Sequence, residues 1–122
     1  MTVNGRRVSV CIPAKDEEAT IEEVITRSKP HGDELFVVDG HSSDRTREIA
    51  EAMGVAVYID EGFGKGCAVR EAVARATGDI LVTIDADLSF DPEDIPRLVE
   101  PVAAGDAEYG NGSRMRGGSD EL

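Results

Sequence analysis

The 122-residue chain has no tryptophan, and aromatic residues make up only 4% of it. That leaves no stacking platform for single-stranded nucleic acid. Positive charge is also scarce, with 13 Lys and Arg against 25 Asp and Glu, for a formal charge of -12. A phosphate-backbone binder should be basic, so no nucleic acid is expected as partner. An anionic membrane surface is disfavoured as an electrostatic target in the same way. Lysine is rarer still, at Lys15, Lys29 and Lys65 alone, the other basic residues being arginine. High-salt cytoplasm and an ordinary acidic enzyme from a GC-rich genome both fit that bias. Cysteine is limited to Cys11 and Cys67, with no metal-ligand spacing, which predicts two buried thiols in a reducing compartment. No apolar run approaches the ~18 residues of a membrane span, and the first ten residues hold no signal-peptide core. A cytoplasmic chain is expected. Neither G-x-G-x-x-G nor G-x-x-x-x-G-K-[ST] occurs, which disfavours dinucleotide oxidoreductases and P-loop NTPases.

What is present is an alternating pattern. Residues 8–12 form a short apolar run stopped by Pro13. Residues 17–28 read as a helix with Ile21, Val24 and Ile25 on one face and acids in its first half. A second apolar run, 35–38, closes on Asp39. Asp44 suits an N-cap for a helix through Met53, with Gly54 behind it. Residues 55–59 are a third strand. Residues 65–76 place Ala68, Val69, Ala72, Val73 and Ala76 at helical spacing. Residues 80–84 are a fourth strand, ending at Asp85. Asp91 and Pro92 open a further helix to about Ala104, which Pro96 and Pro101 are expected to kink or break. A weak fifth strand covers 107–111. One domain over residues 1–122 follows from the length. Continuous apolar strands alternating with helices predict an α/β fold, a mostly parallel sheet with helices on both faces.

Such sheets bind ligands beyond the carboxyl ends of their strands. Those ends carry Pro13-Ala14-Lys15-Asp16-Glu17, then Asp39-Gly40-His41-Ser42-Ser43-Asp44, then Asp85-Ala86-Asp87, then Gly112-Ser113-Arg114. Three of the four carry carboxylates. Asp85 and Asp87, two acids just past a buried strand, suit a hard divalent cation that bridges a diphosphate. Alone, D-x-D more often marks a capped turn; the strand end is what favours the metal. Lys65 lies between Gly64 and Gly66. The glycines admit a close ligand, and an ammonium at a helix start suits phosphate better than it suits the helix.

Four segments, VSVCIPAKDEEATIEEVI, ELFVVDGHSSDRTREIAE, GFGKGCAVREAVARATGDILVTIDADLSFDPEDIPRLV and GNGSRMRGG, resemble the family 2 glycosyltransferases of the GT-A fold. The last two look most like the dolichyl-phosphate mannosyltransferase and polyprenyl-phosphate glycosyltransferase branch. The resemblance spans nearly all of residues 8–118. It implies a nucleotide-diphospho-sugar domain whose family fold continues past this chain. Pro13, Ala14 and Glu17 would line the nucleoside pocket, with Asp16 where Asn is common. Asp39 would bind the base or ribose, and Gly40 stands where a second acid is usual. Lys65 and Ala86 would line the donor site. Asp85 would contact ribose or metal, and Asp87 the metal. Ser89 falls where related enzymes place a further metal contact, though a hydroxyl is a poor ligand. Asp87 and Arg114 would be catalytic, the guanidinium gripping a phosphate. Arg116 is a less specific match.

The implied reaction is inverting transfer of a hexose from a GDP-mannose or UDP-glucose type donor, with Mg²⁺ or Mn²⁺. The preferred acceptor is a polyprenyl or dolichyl phosphate at a membrane face, which is already anionic and needs no base. A nucleotide-sugar-binding module without turnover is the alternative. A sugar-1-phosphate nucleotidyltransferase would need a Gly-rich, Arg-containing first loop, which residues 13–17 do not supply. An exposed edge strand would let copies pair as a homo-oligomer.

Overall fold

The computed structural model describes residues 2–3, 6–59, 65–103 and 110–111, and side chains within 7–59 and 70–100. Its centre is β2 (Arg6–Ala14). Val8, Ser9, Val10, Cys11 and Ile12 are all fully buried, as a strand covered on both faces requires. β3 (Glu34–Asp39) pairs with β2 on one side and β5 (Ile80–Thr83) on the other, both parallel. β4 (Ala56–Ile59) lies outside β3, and β6 (Gly110–Asn111) outside β5. The order is β4-β3-β2-β5-β6. A short β1 (Thr2–Val3) folds back antiparallel on Arg6 and Arg7, an element with too few residues to show a period.

Alternation along β2 divides the core in two. Val8, Val10, Ile12 and Ala14 pack with α1 (Ile21–Ser28), α2 (Thr46–Ala52) and α4 (Ile95–Ala103). Cys11, Phe36 and Val38 pack on the opposite face with Ala72 of α3 (Lys65–Arg75). Tyr58 meets Phe36 edge-on at 5.7 Å, and the Arg75 guanidinium lies 4.4 Å over the Tyr58 ring. Helices on both faces are as the sequence predicts. Burial pushes the Cys11 thiol well above its ordinary pKa, so it is an inert core residue. Cys67 lies outside the described side chains.

Several boundaries differ from the sequence reading. α1 starts at Ile21, because residues 17–20 form a turn whose amides serve other partners. Val73 is 53% exposed and is not part of the buried stripe. Asp91 accepts from the Glu93 amide, but it opens a 3-10 turn at Pro92–Asp94, and α4 begins after it. Pro96 therefore falls in the first turn of α4, where a missing N–H costs little, and α4 runs past Pro101 to Ala103. Of the expected strand at 107–111 only β6 is described.

α1 is tied to the start of α4 by Arg27. Its guanidinium reaches Glu23 at 3.0 Å, Asp91 at 2.6 Å, and Glu93. The Arg27 hydrogen bond holds the Glu93 carboxyl at about 2, against an ordinary value of 4.5. A depressed carboxyl pKa stabilises the fold above its unfolded value and stops doing so as pH falls through the folded one. The stability gap between wild type and Arg27→Ala should therefore close as pH falls from about 4.5 to about 2, in thermal melts at low salt. High salt should shrink the same gap, since the pair is exposed. A gap that persists at pH 2 would place the Arg27 contribution in packing instead.

Candidate functional site

The chain runs from β2 to β3 and β4 on one side, then crosses to β5 on the other. The loops after β2 and β3 therefore part from the loop after β5, leaving the crevice that doubly wound sheets use for ligands. The strand ends that carry the three groups of candidate residues all lie at this edge of the sheet. Ala14 and Asp39 are directly opposite in the β2–β3 register, and Cys11 is opposite Thr83, just before Asp85.

Asp39 ends β3 and is fully buried. Its Oδ2 accepts from the Ser42 amide at 2.9 Å. Its Oδ1 is buried and has no hydrogen-bond partner among the described residues. A buried carboxylate oxygen left unsatisfied is costly, which sets Asp39 apart from the other acids of these loops.

The loops around Asp39 are fastened to each other. The Gly40 amide donates to the Ala14 carbonyl at 2.8 Å. The Asp16 amide donates to Ser42 Oγ at 2.8 Å, and Asp16 Oδ1 accepts from the Ser43 amide at 2.7 Å. Asp16 sits at φ 54°, a left-handed conformation that Asn and Asp tolerate best. The Glu17 amide donates to Thr46 Oγ1 at 2.8 Å and the Glu18 amide to Asp44 Oδ2 at 3.2 Å. Asp44 Oδ1 accepts from both the amide and the hydroxyl of Thr46. Asp44 is therefore not the N-cap of α2, which is Arg45; it is a brace between two loops. Partial burial pushes its carboxyl up, but the bonds from Thr46 and Glu18 outweigh this and hold it below the usual range.

Beyond β5 the chain makes an acidic turn. Asp85 is half-buried, Ala86 is buried and Asp87 is exposed. Asp87 Oδ1 accepts from the Ser89 amide at 3.0 Å, and the Ser89 hydroxyl is 3.5 Å from Asp85 Oδ2. The Ser89 bonds hold the Asp87 carboxyl below its usual range, so it is ionised at neutral pH. Ser89 thus links the two acids, a role its residue type suits better than metal ligation. Between Asp87 and Ser89, Leu88 stands at φ 64°. With His41, also at φ 64°, and Asp16 it makes three left-handed non-glycine residues among those described, one in each of these loops. Strain of this kind gathers at functional sites.

Among the described residues no group of three or more His, Cys, Asp or Glu could hold a metal. Two adjacent carboxylates nevertheless fit Mg²⁺ or Mn²⁺, which take one or two protein carboxylates and fill the other positions with diphosphate oxygens and water. Asp85 and Asp87 are the residues that would hold it.

Pro13 is half-buried and Ala14 buried at the end of β2. Glu17 is half-buried, and its carbonyl accepts from the Thr20 and Ile21 amides that start α1. Lys65 begins α3, but its side chain lies outside the described residues, as do Arg114 and Arg116. The sequence reading missed Thr20, Ser42, Ser43 and Thr46. Their only signal was the run of Ser, Thr and Asp in the loops, whose hydroxyls commonly replace backbone partners.

Doubly wound sheet, loop-lined crevice and acidic turn together define a GT-A type domain. The family model for glycosyl transferase family 2 matches residues 9–122, and the chain belongs to that family. It is 36% identical to the undecaprenyl-phosphate 4-deoxy-4-formamido-L-arabinose transferase of Pseudomonas paraeruginosa, over 80% of this chain and 33% of that protein. It is also 36% identical to the low-salt glycan biosynthesis hexosyltransferase Agl6 of Haloferax volcanii, over 90% of this chain and 28% of that one. The glucosyl-3-phosphoglycerate synthase of Mycobacterium tuberculosis, solved with Mn²⁺ and UDP-glucose, superposes with a TM-score of 0.74 at 40% identity. That match covers 84% of this chain and 41% of the synthase. The chain spans about a third of the length of the curated relatives it matches. Among the described residues no helix is long and apolar enough to cross a membrane.

Proposed function

We propose that this chain forms the donor side of a glycosyltransferase that moves a hexose from a nucleotide-diphospho-sugar, with inversion, to a polyprenyl phosphate. The observation that carries the reading is buried Asp39, whose Oδ1 has no partner among the described residues, at the same sheet edge as the Asp85–Asp87 turn. Asp39 accepts a hydrogen bond from the nucleoside. The loops fastened around it, with Pro13, Ala14 and Glu17, shape the nucleoside pocket, and Lys65 and Ala86 complete the donor site. Asp85 and Asp87 would hold Mg²⁺ or Mn²⁺, which supplies neutralisation of charge on the diphosphate as it leaves.

In the transfer an acceptor phosphate oxygen attacks the anomeric carbon from the face opposite the nucleotide. The new carbon–oxygen bond forms as the bond to the nucleoside diphosphate breaks. An anionic phosphate acceptor has no proton to lose, so the step needs no carboxylate base. Arg114 grips a phosphate. Support for the acceptor comes from the undecaprenyl-phosphate transferase at 36% identity, and support for the donor and metal from the synthase solved with Mn²⁺ and UDP-glucose. Lipid acceptors would bring the protein to a membrane face.

Calorimetric titration tests this. GDP-mannose, UDP-glucose and UDP-N-acetylglucosamine are each added with and without Mn²⁺, to wild type and to Asp87→Asn. One donor should bind in a Mn²⁺-dependent manner, and the variant should weaken it by about tenfold or more. Equal affinity with and without metal, or in the variant, would refute the metal role. A folded chain that binds none of the three would refute the donor reading.

A further inference from the structure

Thr20 precedes α1 in the N-cap position, yet its side chain makes no capping bond. A threonine there ordinarily turns its oxygen onto an amide in the first turn. Here the hydroxyl instead donates to the Ala86 carbonyl at 2.6 Å, across 66 residues of sequence. The Glu17 carboxylate lies farther off, at 3.3 Å. The hydroxyl has one proton, and the shorter contact takes it. Ala86 is the middle residue of the Asp85-Ala86-Asp87 turn, and it is buried.

The helix that carries Thr20 is a fixed strut. Ile21, Val24 and Ile25 are fully buried against the sheet. At its other end Arg27 holds Asp91 and Glu93. One rigid element therefore grips the segment after β5 at both ends, at the Ala86 carbonyl and at the two later acids. Between those points lies Leu88, in its left-handed conformation. A segment that holds a leucine in that region needs external restraint to keep it there.

We infer that Thr20 is a positioning residue, whose hydroxyl on the Ala86 carbonyl fixes the acidic turn so that Asp85 and Asp87 present a preformed pair of carboxylates to a divalent cation. The metal part of this rests on the proposed function; the positioning part does not. Small divalent cations demand narrow ligand geometry, so a loosened turn loses affinity even with both acids retained.

The test compares Thr20→Val, which keeps the shape and removes the hydroxyl, with Thr20→Ser, which keeps the hydroxyl. Thr20→Ala replaces the valine variant if that one does not fold. Amide hydrogen exchange is followed over residues 84–90 and over 40–46. UDP and GDP are titrated with and without Mn²⁺. In Thr20→Val, exchange over 84–90 should quicken by about tenfold with 40–46 unchanged. The Mn²⁺-dependent gain in nucleotide affinity should fall by about tenfold while metal-free affinity stays the same. Thr20→Ser should restore both. Unchanged exchange over 84–90 in a folded valine variant would overturn the inference, as would equal losses with and without metal. A wild type whose nucleotide affinity ignores Mn²⁺ would overturn the metal reading alone, with exchange still deciding the role of Thr20.

Discussion

Asp39→Asn is expected to abolish most nucleotide affinity and to change the stability of the fold little. The two effects have one cause. In the free protein Asp39 Oδ1 is buried without a partner among the described residues, and Oδ2 accepts from the Ser42 amide. A buried oxygen in that setting costs folding free energy that no partner among the described residues offsets. Asparagine keeps an acceptor for Ser42 and puts an amide nitrogen, equally unpartnered, where Oδ1 was, so the stability of the folded state changes little. Binding should change far more. A hydrogen bond from ligand to a charged acceptor contributes roughly 1.5–3 kcal/mol, which is about 10- to 150-fold in affinity. Thermal melts beside calorimetry with the donor that wild type binds would show both. A variant that melts lower and still binds would make Asp39 a structural acid. Asp44, in the same loop, provides the contrast, because both of its oxygens are engaged within the chain.

That contrast also shows what could be read from residues in order. β2 was legible because a strand buried on both faces must be apolar throughout, and residues 8–12 are apolar but for Ser9. Asp39 and the Asp85–Asp87 pair were legible because each stands where an apolar run stops. What could not be read depends on partners distant in sequence. The first turn of the predicted 17–28 helix is a loop whose Glu17 and Glu18 amides go to Thr46 and Asp44. Asp44 looked like a cap because local spacing cannot reveal an acceptor used by residue 18. Thr20 shows nothing in the sequence of its bond to Ala86 for the same reason. Leu88 carries no sign of its left-handed backbone, since nothing local favours that conformation for leucine. Val73 fits a helical stripe, but it is exposed while Ala72 is buried and Ala76 packs against the same cluster.

Gly78→Ala should be among the most damaging single changes in the described chain, although it adds one methyl group. Gly78 lies just before β5, where that strand comes alongside β2. An added Cβ would stand 2.6 Å from Ser9 Oγ and 2.7 Å from the Arg7 carbonyl oxygen. Ser9 cannot move aside cheaply. It is fully buried, donates to Glu34 Oε1 at 2.8 Å and accepts from the Gly78 amide at 2.8 Å. The Arg7 carbonyl is fixed too, accepting from the Asp79 amide at 2.8 Å. The strands must therefore separate at the start of their pairing. Overpacking of this kind costs roughly 1–3 kcal/mol, and the loosened Gly78–Ser9 bond adds to it. A urea midpoint lowered by that amount, with the denaturant slope unchanged, is the expected result. Ser9→Ala combined with Gly78→Ala separates the two contacts. It removes the closer atom but leaves the Arg7 carbonyl in place, so the double variant should cost less than the sum of the singles and still fall below wild type. Full recovery in the double variant would show that the Ser9 hydroxyl alone made the site tight. The consequence extends to the crevice, because the β2–β5 register that starts at Val8 and Ile80 is what brings Thr83, and the acids after it, level with Cys11.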